Sequence, residues 1–133
     1  MLVSALTNEG ATGRVQAWLS LQDPAALLIS EWVVTEFSSA LSIKLRTGQF
    51  LARDRAKAAG LFARLKAESL TVVPITRDHF LAAALLVDQY DIGLRAGDAL
   101  HVAIAAALGA TICTLDKRLS DAAVTVGVNA LLV

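Results

Sequence analysis

The chain has 133 residues, the length of one domain that can bury a sizeable hydrophobic core. Twelve acidic and twelve basic side chains cancel, so no global positive charge indicates a nucleic-acid-binding protein. The single cysteine, Cys113, excludes a disulfide framework within the chain, and no signal-like start or apolar run of about 18 residues indicates export or a membrane span. We therefore expect a soluble, cytoplasmic protein.

Helices and short strands alternate along the chain. The predicted elements, in order, are a helix over residues 10–21, a strand over 26–29, helices over 31–46 and 52–68, a strand over 70–75, helices over 77–89 and 96–109, a strand over 110–115, a short helix after residue 116 and a strand over 128–133. This alternation is typical of βαβ units on a parallel sheet. We predict one α/β domain over residues 1–133, with three α/β/α layers.

The helix over residues 31–46 holds the first candidate functional residue. Glu36 lies three residues after Val33 and four before Ala40, so it borders the apolar face of this helix. Glu31 lies about 140° away around the helix and cannot point at the same site. Glu36 is therefore the candidate ligand. The alternative is a glutamate that reaches solvent or pairs with an arginine or lysine.

A nearly continuous apolar stretch contains the second and third candidates. Residues 96–110 carry very few polar side chains, which predicts a buried helix that begins near Asp98 and ends at Gly109. A short apolar strand follows, and Asp116 comes immediately after it. Ligand sites in parallel sheets lie beyond the carboxyl ends of strands, so we predict that Asp98 and Asp116 converge there. Either acid could instead be an ordinary helix N-cap.

Clustered carboxylates without Cys or His partners favour a hard cation, Mg²⁺ or Mn²⁺. Such an ion activates water and stabilises negative charge during attack on a phosphodiester. Asp98 and Asp116 would be ligands, and Glu36 would bind the ion directly or hold a water molecule of its hydration shell. No Gly-rich phosphate loop and no Gly-x-Ser-x-Gly motif occurs, which disfavours P-loop enzymes, dinucleotide enzymes and α/β hydrolases.

Two stretches resemble the C-terminal signature of PIN-domain proteins, and most closely that of VapC-type toxins of bacterial toxin–antitoxin pairs. They are residues 97–105, Gly-Asp-Ala-Leu-His-Val-Ala-Ile-Ala, and residues 114–119, Thr-Leu-Asp-Lys-Arg-Leu. In the same resemblance Glu36 falls on the family's glutamate position. The resemblance implies a metal-dependent endoribonuclease with catalytic Glu36, Asp98 and Asp116, a cognate antitoxin, an RNA substrate and a homodimer.

Five further residues flank these acids. Thr114 could hydrogen-bond a ligand or a phosphate oxygen, with a plain strand threonine as the equal alternative. Asp121 lies where some PIN proteins carry an additional acid. Arg95, Lys117 and Arg118 could contact RNA phosphates, or simply face solvent.

The family's first acid has no counterpart in this sequence. PIN domains open with a strand that ends in Asp, and residues 1–6 resemble the segment just after that Asp. We expect the native gene to encode this first strand upstream, with a misassigned start codon. The alternative function is a PIN-like module with impaired catalysis that binds an antitoxin or RNA.

Overall fold

The structure is a computed structural model that describes all 133 residues, and it contains two compact units, Met1–Pro74 and Ile75–Val133. Each unit has one pair of parallel strands together with α-helices. The predicted α/β class and the parallel strand pairing are therefore confirmed. No helix has the length and apolar character needed to cross a membrane.

The first unit is built on two long helices. Its elements are α1 (Leu2–Leu6), α2 (Thr12–Ser20), a 3₁₀ turn (Pro24–Ala26), β1 (Leu28–Ser30), α3 (Glu31–Arg46), α4 (Ala52–Ser69) and β2 (Thr71–Val73). The bounds of α3 agree with the prediction at both ends. β1 begins later than predicted because Asp23 caps the 3₁₀ turn through a 2.9 Å bond from the Ala25 N–H.

The core of this unit lies between α3 and α4. The rings of Phe37 and Phe62 stack with their centroids 4.1 Å apart and their planes 22° from parallel. Leu41 follows Phe37 by four residues and Ala58 precedes Phe62 by four, so each helix presents an i, i+4 pair to the core. The apolar spacing that predicted α3 therefore marks the face that is buried.

Ser30 precedes α3, and serine is a residue type that commonly caps a helix N-terminus. Ser30 occupies the N-cap position, but its side chain makes no capping hydrogen bond. The residue also ends β1, and its hydroxyl is buried without a hydrogen-bond partner, as is the indole Nε1 of Trp32. Burial with the strand has thus taken the hydroxyl away from the helix end, at a cost of about 1–3 kcal/mol for each unsatisfied polar group.

The second unit begins with a pair of helices. Its elements are α5 (Arg77–Val87), α6 (Ala96–Leu108), β3 (Ile112–Thr114), α7 (Lys117–Thr125) and β4 (Ala130–Leu132). Thr76 caps α5 by accepting a hydrogen bond from the His79 N–H. β3 and β4 run parallel, with Cys113 opposite Leu131.

Helix α6 is the most deeply buried helix of this unit. Most residues from Ala99 to Ala105 are buried, whereas the last turn, residues 106–108, is exposed. The prediction of a helix buried on every side therefore holds only for the middle of α6. Gly109 ends the helix with a φ of 61°, in the left-handed conformation that favours glycine.

The Phe37–Phe62 stack gives a stability prediction. We expect Phe62→Ala to lower the free energy of unfolding by about 3–5 kcal/mol, because it removes a buried ring and leaves a cavity. The matched control is Leu61→Ala, which truncates the exposed neighbouring side chain on α4 and should change stability by about 0.5 kcal/mol or less. Urea denaturation measures both values. Similar losses for the two variants would contradict this account of the core.

Candidate functional site

Asp98 lies in the first turn of α6, but it does not cap that helix. Arg95 occupies the N-cap position and makes no side-chain capping bond. The Asp98 carboxylate is half-buried, directly before the buried residues Ala99 and Leu100. The free N–H groups and the dipole of the helix N-terminus favour a negative charge at this position. The N-cap alternative therefore does not apply to Asp98.

Asp116 is the N-cap of α7, which is the alternative to a ligand role that the sequence left open for this residue. Its Oδ1 accepts hydrogen bonds from the backbone N–H groups of Arg118, at 2.8 Å, and Leu119, at 3.2 Å. Both capping bonds use the same oxygen. The second carboxylate oxygen, Oδ2, takes no part in the cap, so capping and metal binding are compatible at this residue.

Thr114 has a role that neither alternative described. Its side chain is buried at the end of β3, and its hydroxyl oxygen accepts a 3.0 Å hydrogen bond from the backbone N–H of Asp116. This bond fixes the turn between β3 and α7. Thr114 therefore positions the backbone of Asp116.

Chain lengths in the second unit are compatible with the convergence of Asp98 and Asp116, which stays a prediction. From Asp98 to Gly109, α6 rises by about 16 Å at 1.5 Å per residue. From Gly109 to Asp116 an extended chain covers at most about 23 Å, part of which the turn consumes. α6 packs against β3, and the returning chain is long enough to reach the level of the first turn of α6 near Asp116.

A tertiary hydrogen bond supports this arrangement. The Arg118 guanidinium donates from Nη2 to the carbonyl oxygen of Gly93, at 3.4 Å, which links the first turn of α7 to the loop before α6. The same loop and helix line an open depression. Its lining residues are Asp91, Ile92, Arg118, Asp121, Ala122 and Thr125. Two of the flanking candidates, Arg118 and Asp121, thus line a concave surface of the second unit.

The other flanking residues differ in whether their charged groups are already paired within the protein. Lys117 Nζ and Asp121 Oδ2 form an exposed ion pair at 2.6 Å, one turn apart on α7. This pairing occupies both charges and weakens the case for either as a binding residue. Arg95 is exposed at the start of α6. Among the three basic candidates, Arg118 is the one that lines the depression.

Glu36 belongs to the first unit. It is half-buried on α3, and its charge acts on the amino group of Met1. Burial lowers the pKa of this Met1 ammonium, and the carboxylates of Glu9 and Glu36 oppose that shift. The convergence of Glu36 with the two aspartates stays a prediction. No group of three or more His, Cys, Asp or Glu side chains comes together in an arrangement that could hold a metal ion.

Glu9 was not singled out from the sequence, although it is well partnered in the first unit. It forms an ion pair with Lys44 at 2.7 Å and accepts a hydrogen bond from the Ser4 hydroxyl. Lys44 and then Ser4 lower the pKa of the Glu9 carboxyl. Because Lys44 lies 35 residues away along the chain, no local spacing could have revealed this contact.

The donors of the second unit fit a hard cation. Asp98 and Asp116 supply carboxylate oxygens, which Mg²⁺ and Mn²⁺ prefer. Cys113 is the single cysteine of the chain, and burial raises the pKa of its thiol. Soft-metal chemistry therefore has no support among these residues.

The capping role of Asp116 can be tested separately from its negative charge. We expect Asp116→Ala to lower the free energy of unfolding by about 0.5–2 kcal/mol, and Asp116→Asn to retain most of that stability, because Asn is an equally good N-cap. The control is Asp121→Ala, which breaks only an exposed ion pair worth about 0.3–0.5 kcal/mol. Chemical denaturation measures the free energy of unfolding of the three variants. An equal loss for the Asn and Ala variants would show that the cap does not stabilise α7.

Comparison with protein-family models gives a match over most of the chain. The family model described as PIN domain matches residues 1–124, a range that includes all three candidate acids. No curated protein is significantly similar to the chain. The match confirms the predicted PIN-like fold class, and PIN domains are nucleases that typically use divalent metal ions. By this match, the chain belongs to the PIN domain family.

Proposed function

We propose that this protein is a metal-dependent endoribonuclease and the toxin of a type II toxin–antitoxin pair. The observation that carries the proposal is that Asp98 lies in the first turn of α6 and Asp116 caps α7, the helices that precede and follow β3. Membership of a nuclease family supports it. The proposed ion is Mg²⁺ or Mn²⁺, held by Asp98, Asp116 and Glu36.

The residues would prepare the site in different ways. Two hydrogen-bonded contacts hold Asp116: its Oδ1 caps α7, and its backbone N–H donates to Thr114. Its Oδ2 would therefore need little reordering when an ion binds. Asp98 lies in the first turn of α6, where the helix dipole favours a negative charge. When bound, the ion would activate water and stabilise charge on the phosphate.

The substrate would enter from the side of the depression. Arg118 lines it, and its single 3.4 Å bond to Gly93 leaves other N–H donors for an RNA phosphate. Arg95 is a second candidate, exposed at the start of α6. We rank Lys117 below both because Asp121 already neutralises it.

Four further parts of the proposal rest on the family resemblance. They are the cognate antitoxin, the homodimer, the cytoplasmic location and the single PIN-like domain over residues 1–133. The matched range crosses from the first unit into the second, which supports the last of these.

A second candidate function is a PIN-like module that binds an antitoxin or RNA with impaired catalysis. The observation that favours it is the lack of any group of three acids able to hold a metal ion. It predicts RNA or antitoxin binding without cleavage.

The nuclease proposal is tested with purified protein and a fluorophore–quencher RNA. We expect cleavage with Mg²⁺ or Mn²⁺, its loss in excess EDTA, and a fall of about 100-fold or more for Asp98→Asn and for Asp116→Asn. The Asn variants keep the size of each side chain, so their folds should survive. The matched control is Asp78→Asn, an exposed acid in the first turn of α5, which should cleave at the wild-type rate.

Three outcomes separate the alternatives. Full cleavage in EDTA, or equal losses for Asp78→Asn and Asp98→Asn, would overturn the metal-site proposal. RNA binding by gel shift with no cleavage under any metal would favour the binding module. Cleavage that requires Asp98 and Asp116 would exclude it.

A further inference from the structure

The open depression of the second unit combines apolar residues with charged ones. One face of α7 supplies four of its lining residues at i, i+3, i+4 and i+7 spacing, and these are Arg118, Asp121, Ala122 and Thr125. The turn before α6 supplies Asp91 and Ile92. Ala122 is buried and Ile92 is half-buried, whereas the polar lining residues are exposed. The depression therefore offers an apolar contact with charged groups beside it.

The charged side chains of the depression differ in what already binds them. The exposed Asp91 carboxylate has no hydrogen bond or ion pair within the chain. Asp121 is paired through Oδ2 with Lys117 at 2.6 Å. The Arg118 guanidinium uses one donor, Nη2, on the carbonyl oxygen of Gly93. Because a carboxylate accepts hydrogen bonds and a guanidinium donates them, the depression has one free pair of acceptor oxygens and several unused N–H donors.

These groups favour a ligand that joins an anion to a pair of N–H donors. A ligand amine or guanidinium would suit Asp91 but would be repelled by Arg118. A nucleotide suits both, because its phosphate binds a guanidinium and its base carries N–H groups on the Watson–Crick edge. Gly93, which anchors the Arg118 guanidinium, follows Asp91 by two residues, so their Cα atoms are at most about 7 Å apart. One nucleotide can therefore contact both charges.

The chemistry of the free carboxylate distinguishes among the four RNA bases. Guanine alone carries two adjacent donors on its Watson–Crick edge, N1–H and the N2 amino group, and these match the two oxygens of a carboxylate. Adenine, cytosine and uracil place an acceptor beside each donor on that edge, which a carboxylate repels. The volume of the depression, about 330 Å³, lies within the range of small-molecule sites, roughly 300–1,000 Å³. A single base fits this space.

We propose that this depression binds a guanine base of the RNA substrate. Asp91 accepts hydrogen bonds from N1–H and from the N2 amino group, and Arg118 binds a phosphate of the same strand. Ile92 and Ala122 contact the face of the base. The backbone N–H of Arg118 donates to Asp116 at 2.8 Å, so the guanine binds next to a candidate metal ligand. The inference rests on the RNA substrate of the proposed function and adds the base that is recognised.

Inosine isolates the proposed contact, because it is guanosine without the N2 amino group. The probes are fluorescein-labelled five-nucleotide RNAs of uridine, with guanosine, inosine, adenosine or uridine in the central position. Fluorescence anisotropy measures their Kd in excess EDTA, which prevents metal-dependent cleavage, at about 50 mM salt, where phosphate contacts are strong. We expect the guanosine RNA to bind about fivefold or more tightly than the inosine RNA.

Two variants with a matched control locate the contact. Asp91→Asn should reduce the guanosine-to-inosine preference to below about twofold, because an amide lacks the second acceptor oxygen. The control is Asp88→Asn, which removes another exposed carboxylate, at the C-cap of α5 and outside the depression, and should keep the preference. Arg118→Gln should weaken all four RNAs by about the same factor, roughly threefold or more, with the preference unchanged. Circular dichroism checks that each variant is folded.

The preference, and not the affinity, reports base recognition. Removing a negative charge strengthens the binding of every RNA, in Asp91→Asn and in Asp88→Asn alike, and this leaves the ratio of two dissociation constants unchanged. Equal affinity of the wild-type protein for guanosine and inosine RNAs overturns the guanine site, as does a preference that survives Asp91→Asn. The absence of RNA binding at tens of micromolar overturns it too.

Two further outcomes separate this site from the other proposals. Tighter binding of an arginine-containing hexapeptide than of any RNA, lost in Asp91→Asn, would overturn the guanine site and assign the depression to a basic protein partner. Cleavage is measured in a separate assay, so a protein that prefers guanosine but cleaves no RNA with any metal would keep this site and lose the nuclease proposal. Metal-dependent cleavage without a guanosine preference would have the opposite meaning.

Discussion

The carboxylate of Asp116 stabilises the local fold and also belongs to the candidate site. One oxygen closes the first turn of α7 through two backbone N–H groups, and the backbone of the same residue is held by the buried hydroxyl of Thr114. The last strand-to-helix turn therefore has one favoured geometry. Because that geometry is set by the fold and not by a ligand, the remaining oxygen of Asp116 is oriented before any ion arrives. Such preorganisation lowers the cost of binding.

Asp98 depends on a different constraint. It has no capping role, and its position follows from the burial of α6, whose middle residues are almost all Ala, Val, Ile and Leu. Small and branched side chains let this helix pack closely within its unit, so its first turn has little freedom. Asp98 and Asp116 each lie at the start of a helix, α6 and α7 respectively, where the helix dipole favours a negative charge.

Local signals explain which parts of the fold were predictable. The bounds of α3 and the stop of α6 at Gly109 follow from helical periodicity and from the backbone freedom of glycine, both of which are properties of a few adjacent residues. The roles of Ser30, Thr114 and Glu9 depended on packing instead. Ser30 is buried with β1, Thr114 turns toward the backbone of Asp116, and Glu9 meets a lysine from another helix.

The site was predictable to a similar extent. The convergence of Asp98 and Asp116 was predicted from the rule that ligand sites lie beyond the carboxyl ends of parallel strands, and it stays a prediction. The link from Arg118 to Gly93 could not be read from the sequence, because it joins a helix to a loop 25 residues earlier. Glu36 was identified by its position on the buried side of α3, and its place in a shared site remains a prediction because it lies in the other unit.

The charge balance of the chain affects how an RNA would be held. Acids and bases are equal in number, Asp121 neutralises Lys117, and Arg118 already bonds a backbone carbonyl. Attraction of RNA by a broad positive field is therefore weak, unlike that of basic nucleic-acid-binding proteins. Recognition would have to come from a few short-range contacts, from the two helix N-termini and from the bound ion. A chain organised in this way would bind phosphates mainly where the ion is held, so binding and catalysis would depend on the same two aspartates.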